Sequence, residues 1–372
     1  MPAMNVRNMM LFLVTLLLLC EHNFSQEWIF TGLSGLSQNL ATKHDCSRSL
    51  EPGTYRHMLC RQKFSGMQSI KRGTNMAFRQ CAKLFKWSPW NCSALKPEGD
   101  TDSPFGEGLK GTKEAAFISA LFAASVVHAI TTDCRDGRIE GCECDRGQHP
   151  NNVYGVSGFV AGCSENIKYG IAFSERFLDT AELMDRHRRP RTSKDILSMN
   201  IHNYRVGRKI ARESMRKTCK CHGMSGTCAT KVCFKQLPPF DEIAKRIKKK
   251  YEHATYARVS RNSWKPGRVS LVPVWPTLKK IGIGDLVYLI PSPNYCNHNK
   301  TLGILGTPGR RCKVSKTNSI QTYPEHCKML CCGRSYYSVK KVIKENCHCK
   351  FTWCCNVECK TCYKTKELHF CK

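Results

Sequence analysis

Cysteines near the end of the chain are spaced as bond-forming chemistry requires. Cys347 and Cys349 face Cys359 and Cys362 across Cys354-Cys355, and opposed positions add to 709, 708 and 709. A constant sum marks an antiparallel hairpin, because paired positions converge on one turn, and residues two apart share a strand face. Segment 347–362 therefore reads as a two-stranded finger stapled along its length, with a vicinal disulfide Cys354–Cys355 near the tip. An isolated hairpin is marginal in water, so the staples hold it. Phe351 and Trp353 sit near its tip with little local core to bury them. A rigid exposed aromatic is a preferred binding anchor; the alternative is that Trp353 folds back on its own hairpin.

A second set behaves similarly. Cys219, Cys221, Cys228 and Cys233 can pair as 219–233 and 221–228, presenting His222-Gly223-Met224-Ser225-Gly226-Thr227. Two glycines and two hydroxyls at a constrained tip form a chemical handle. The competing chemistry is zinc, since Cys-x-Cys-His at 219–222 and Cys-His-Cys at 347–349 resemble ligand clusters. Compartment decides between them.

The start of the chain points to export. Arg7 precedes an apolar run from Met9 to Cys20, and the sequence turns polar at Glu21-His22-Asn23. A short basic region before about a dozen apolar residues is a signal peptide, too short to span a bilayer comfortably. Residues 1–25 are assigned to it, with cleavage between Cys20 and Ser25. Of 25 cysteines, 24 remain, and an even count in an exported chain points to disulfides.

The elements that position these groups follow from periodicity. Residues 26–256 read as mostly helical: Lys113–Thr131 lacks Gly and Pro, Ser164 can cap a helix carrying Ile167 to Leu178, and Asp195–Lys217 and Asp241–Tyr251 continue the pattern. The apolar stretch from Ala115 to Ile130 is shorter than a membrane span and reads as a buried core helix, with His128 a satisfied core side chain. Residues 257–284, with three prolines and three glycines, read as a linker. Residues 285–372 form a small cystine-rich domain whose apolar core alone would be too thin. The class is α+β.

Lys plus Arg is 59 against 29 Asp plus Glu, a formal charge of +30. The run Lys245-Arg246-Ile247-Lys248-Lys249-Lys250 resembles a basic patch or a localisation signal. For an exported protein, however, the available polyanions are heparan sulfate chains and acidic lipid headgroups rather than nucleic acid, and the size of the charge, not any motif, favours heparan sulfate. Catalytic signals are weak: Gly223-Met224-Ser225-Gly226-Thr227 misses the nucleophile elbow at its last position, and no H-E-x-x-H or phosphate-binding loop occurs. No enzyme is expected, nor any metal or cofactor. The sequons at Asn91 and Asn299 are the candidate glycan sites; that at Asn23 lies too near the cleavage site.

Cys219-Lys220-Cys221-His222-Gly223-Met224-Ser225-Gly226-Thr227-Cys228 closely resembles the C-K-C-H-G-x-S-G-S-C signature of Wnt signalling proteins. The finger resembles their C-H-C-K-F-x-W-C-C. Further matches include Trp90-Asn91-Cys92-Ser93, Met199-Asn200-Ile201-His202-Asn203, Asp285-Leu286-Val287-Tyr288-Leu289 and Cys331-Cys332-Gly333-Arg334. The resemblance implies a two-domain, hand-like fold, with a helical N-terminal domain bearing a lipid loop (219–233) and a cystine-rich C-terminal domain bearing the finger. It implies a secreted extracellular glycoprotein of developmental signalling, lipidated by the acyltransferase Porcupine in the endoplasmic reticulum. Its partners would be the cysteine-rich domain of Frizzled receptors, lipoprotein-receptor-related co-receptors and heparan sulfate. The alternative is a heparan-sulfate-binding matrix protein without signalling.

By the same similarity Thr227 takes the acylated position, with Ser225 as rival or no lipid at all, and Met224, Thr227, Phe351, Trp353, Cys354 and Cys355 contact the receptor. The implied pairs in the N-terminal domain are Cys46–Cys60, Cys81–Cys92, Cys134–Cys142, Cys144–Cys163, Cys219–Cys233 and Cys221–Cys228. Those in the C-terminal domain are Cys296–Cys332, Cys312–Cys327, Cys331–Cys371, Cys347–Cys362, Cys349–Cys359 and Cys354–Cys355. Together they use all 24 mature cysteines. The chain departs from the family at Thr227, which replaces serine, at Phe159-Val160-Ala161-Gly162-Cys163, which lacks the usual tryptophans, and at Ser88-Pro89.

Overall fold

The computed structural model describes residues 44–46, 50, 53–92, 109–145, 159–184, 191–229, 231–261, 269–275, 280–299, 302, 304–314, 324–353 and 356–372. The expected signal peptide, residues 1–25, lies outside them. Helices α1 (Tyr55–Gln62) and α2 (Phe64–Leu84) lead to α3 (Lys113–Arg135). Helix α3 contains neither Gly nor Pro and starts where the Thr112 hydroxyl accepts the Ala115 amide at 3.3 Å. It is longer than expected, and by length and hydropathy it could cross a membrane. However, 89% of its apolar window is buried inside the protein. It is the central core helix.

Strand β1 (Phe159–Ala161) precedes α4 (Ile167–Glu175), which continues into a π turn at Arg176–Thr180 carrying buried Phe177 and Leu178. The cap of α4 is Asn166, whose side chain accepts the Tyr169 amide at 3.0 Å, rather than Ser164 as expected. Ser164 lies two residues upstream, outside the helix, and its hydroxyl accepts the Lys235 amide at 3.1 Å.

Helix α5 (Arg191–Glu213) crosses α3 so closely that a Cβ on Gly207 would lie 2.0 Å from the Ala120 carbonyl oxygen. Only glycine fits there. The helix stops before the expected Lys217 because Arg216 begins strand β2 (Arg216–Cys221), which pairs with β3 (Lys231–Gln236). Helix α6 (Phe240–Glu252) buries Phe240, Ile243, Ala244 and Ile247 on the core behind Pro238-Pro239. His128 is held by the Pro238 carbonyl, 3.0 Å from Nε2, and burial lowers its pKa.

Segment 257–284, expected as a linker, carries most of β4 (Thr255–Arg261) and all of β5 (Val269–Pro273), an antiparallel pair. Strand β4 also pairs in parallel with β6 (Val287–Tyr288). Asn203 fastens this junction to α5: its amide donates to the Val287 carbonyl at 2.9 Å and its Oδ1 accepts the Val287 N–H at 3.0 Å. The neighbouring His202 Nε2 meets the Asp285 carbonyl at 2.8 Å. Leu286 is buried with the helical core.

Beyond it lie β7 (Arg311–Cys312), the single turn α7 (Cys327–Leu330), and two long strands, β8 (Tyr336–Thr352) and β9 (Asn356–Cys371). The buried cluster here is Cys312, Cys327, Leu330, Cys331 and Cys371, flanked by Trp87 and Val314. Sulfur supplies most of this core, as a thin apolar composition demands.

Candidate functional site

The first tip is built by β2 and β3, which are antiparallel with Cys219 opposite Cys233. Disulfides Cys219–Cys233 and Cys221–Cys228 clamp its stem and its neck. Strand β3 pairs on its other side with β1, the segment that lacks the family's tryptophans, and the Gly162 N–H donates to the Cys233 carbonyl at 3.0 Å. Within the tip the Gly223 N–H donates to the Thr227 carbonyl at 2.7 Å, and the Thr227 N–H donates to the Met224 carbonyl at 3.2 Å. A Cβ on Gly223 would sit 2.1 Å from Thr227 Oγ1, so glycine makes the room that the threonine occupies. Ser225 holds a left-handed φ of 55°, which a serine adopts at a cost. Met224 is 91% exposed, and the Ser225 and Thr227 side chains are exposed beside it. Both hydroxyls are presented to solvent on a preformed turn.

The second tip ends the β8–β9 hairpin. Its disulfides are Cys347–Cys362 and Cys349–Cys359. The register shifts between Cys347 and Lys350, where His348 takes a φ of 46°. The hairpin runs over 336–371, far beyond the expected 347–362. Phe351, opposite Val357, is 70% exposed, and Trp353 is 87% exposed. Trp353 does not fold back on its hairpin. Cys354 and Cys355 lie outside the described residues.

The described disulfides further join Cys46–Cys60, Cys81–Cys92, Cys134–Cys142 and Cys144–Cys163. In the C-terminal part they join Cys296–Cys332, Cys312–Cys327 and Cys331–Cys371. Two clusters could resemble metal sites by proximity, Cys312-Cys331-Cys371 and Cys347-His348-Cys362. Their sulfurs are bonded in pairs and offer no thiolate. Asn299 is exposed, with Oδ1 accepting the Leu302 N–H at 3.1 Å. Asn91 is half-buried on a cleft that it lines with Trp87 and Arg310.

Two polar anchors that sequence reasoning missed tie the finger-bearing part to the helices. Glu114, buried on α3, accepts hydroxyl bonds from Tyr251 at 2.9 Å, Ser292 at 2.6 Å and Tyr295 at 2.8 Å. Burial and the Glu114 carboxylate both push the two tyrosine pKa values upward. Arg310 donates to the carbonyls of Ser88 (2.7 Å), Pro89 (2.8 Å) and Lys86 (2.9 Å). The Ser88-Pro89 departure thus lies at a joint. Neither anchor has a sequence signature, because its partners are remote along the chain.

The basic run on α6 is not a free strip. Lys245 pairs with Asp241 at 3.1 Å and Lys250 with Asp285 at 3.2 Å. Lys248 Nζ stands 3.7 Å from the Phe85 ring centroid, and burial lowers its pKa to about 8.

The Wnt family model matches residues 50–372. The chain is 36% identical to Protein Wnt-5a of Xenopus laevis over 315 residues, covering 84% of this chain and 79% of that protein. It is 36% identical to human Protein Wnt-5b over 333 residues, covering 88% and 87% respectively. Among solved structures it resembles a chain of human WLS in complex with WNT8A, with a TM-score of 0.55 and 31% identity over 82% of this chain and 94% of that one.

Proposed function

The chain belongs to the Wnt family, and from that premise we propose that it is a secreted, lipid-modified ligand whose two tips together clasp the cysteine-rich domain of a Frizzled receptor. It acts by binding, without catalysis of its own. One observation supports this above the rest: each stapled hairpin ends in apolar side chains exposed to solvent, Met224 on one and Phe351 and Trp353 on the other. Large exposed apolar groups on rigid supports serve partners better than they serve the fold.

In this reading Porcupine esterifies Thr227 with a monounsaturated acyl chain. The chain enters a receptor groove, where burial contributes about 0.8 kcal/mol per methylene before ordering costs. Lipoprotein-receptor-related co-receptors and heparan sulfate complete the set of partners, and Asn91 and Asn299 carry glycans. Mass spectrometry of the 221–231 peptide from secreted protein tests the lipid, with an acyl ester expected on Thr227. An ester on Ser225 reassigns the site. An unmodified peptide from protein that still binds the Frizzled domain overturns the lipid's role.

A further inference from the structure

From Arg216 to Gln236 the sequence places five cations, Arg216, Lys217, Lys220, Lys231 and Lys235, and no carboxylate. Strand alternation divides them between two faces. On one face Arg216 meets Glu242 at 3.3 Å and Lys220 lies over the Phe234 ring at 5.9 Å. On the other, Lys217, Lys231 and Lys235 surround the Cys219–Cys233 disulfide, and none forms an ion pair among the described residues.

This second face opens at its base onto a groove of about 590 Å³. Ile167, Ile171 and Met215 supply apolar lining, while Arg212, Lys217 and Lys235 supply cations. Two acids also line it, each with a cation partner: Glu175 lies 3.7 Å from Arg208 and Glu213 lies 3.6 Å from Lys209, and with Lys168 the lining holds four cations against these two acids. At the other end stands exposed Met224. Lys217 and Cys221 are four residues apart, about 13 Å along a strand, which sets the length over which the cations of this face extend between the groove and the tip.

We infer that this face of the hairpin and the groove at its base bind an anionic phospholipid surface, independently of any acyl chain. Charge complementarity selects the anionic headgroup. The apolar lining and Met224 select an amphiphile over a sulfated polysaccharide, which needs only cations. A single acyl chain gives marginal, reversible membrane attachment, and a basic patch is a second signal that makes it stable. The inference therefore goes beyond the receptor-ligand reading and stands without it.

The test uses the full-length chain with Thr227→Ala and Ser225→Ala, so that no lipid is attached at either candidate position. Flotation is measured with phosphatidylcholine vesicles and with vesicles containing about 30% phosphatidylserine, because surface charge drives this term. The unacylated protein is expected to float only with the anionic vesicles. Adding Lys217→Gln and Lys235→Gln should weaken partitioning about thirty-fold, equivalent to about 1 kcal/mol per lysine. Ile171→Ser should weaken it too, whereas Lys245→Gln with Lys249→Gln on α6 should leave it unchanged. Disulfide mapping confirms that each variant is folded. Equal behaviour with neutral and anionic vesicles overturns the inference, as does an equal loss from the α6 pair. So does a groove pair that lowers heparin retention while sparing vesicle binding, which would assign the face to polysaccharide.

Discussion

Trp353→Ala should separate receptor binding from folding. The residue is 87% exposed, and an aromatic side chain buries about 150–250 Å² when covered. Roughly 150–200 Å² is thus open to a partner, worth about 4–5 kcal/mol at about 25 cal/mol per Å² before ordering costs. Aromatic hot spots lose about 2–4 kcal/mol on truncation, so the dissociation constant for a Frizzled cysteine-rich domain should rise about 30- to 1,000-fold. Exposed substitutions usually shift stability by no more than about 0.5 kcal/mol, and the thermal midpoint and heparin elution should stay in place. The assay is biolayer interferometry on the immobilised receptor domain, paired with thermal melting. Unchanged receptor affinity would refute the finger's role. A joint fall in receptor binding, heparin binding and melting temperature would show that the indole supports the fold instead.

Three further outcomes follow from the geometry. Gly223→Ala brings a methyl group to 2.1 Å from Thr227 Oγ1, so it should displace that hydroxyl and reduce acyl incorporation, read by mass spectrometry, with all described disulfides retained. Glu114→Gln replaces a carboxylate that accepts three hydroxyls with an amide that brings two donors. Hydrogen bonds to a charged group contribute about 1.5–3 kcal/mol each, so the denaturation midpoint should fall measurably, and Tyr295→Phe should cost less. Burial lowers the pKa values of His128 and His202 in the folded protein. The unfolded chain therefore takes up more protons, and melting temperature should drop as pH falls from about 6.5 through the lowered folded values; His128→Gln should flatten part of that slope.

The cysteine positions made both hairpins legible, because a covalent pair leaves its arithmetic in the sequence. Helix α3 was equally legible from an unbroken run of helix formers. The β8–β9 hairpin beyond Cys347 was not: Lys340, Lys341, Lys344, Lys364 and Lys366 all lie in strands exposed on both sides, which leaves no apolar alternation to read. The β4–β5 pair hid behind prolines, one of which, Pro273, ends β5 opposite Ala257. Asn203 and Glu114 were silent because a polar residue on a helix announces nothing until its partners arrive from 84 and 181 positions away. The cap at Asn166 competed with Ser164 two residues earlier, and composition alone could not rank them.

The sulfur cluster of Cys312, Cys327, Cys331 and Cys371 around Leu330 has a consequence for how long such a molecule lasts. A domain held by burial yields to heat or denaturant, but one held by covalent cross-links yields to electrons. Its lifetime would then be governed by the reductants and isomerases it meets, because thiol exchange opens such a support without heat or denaturant.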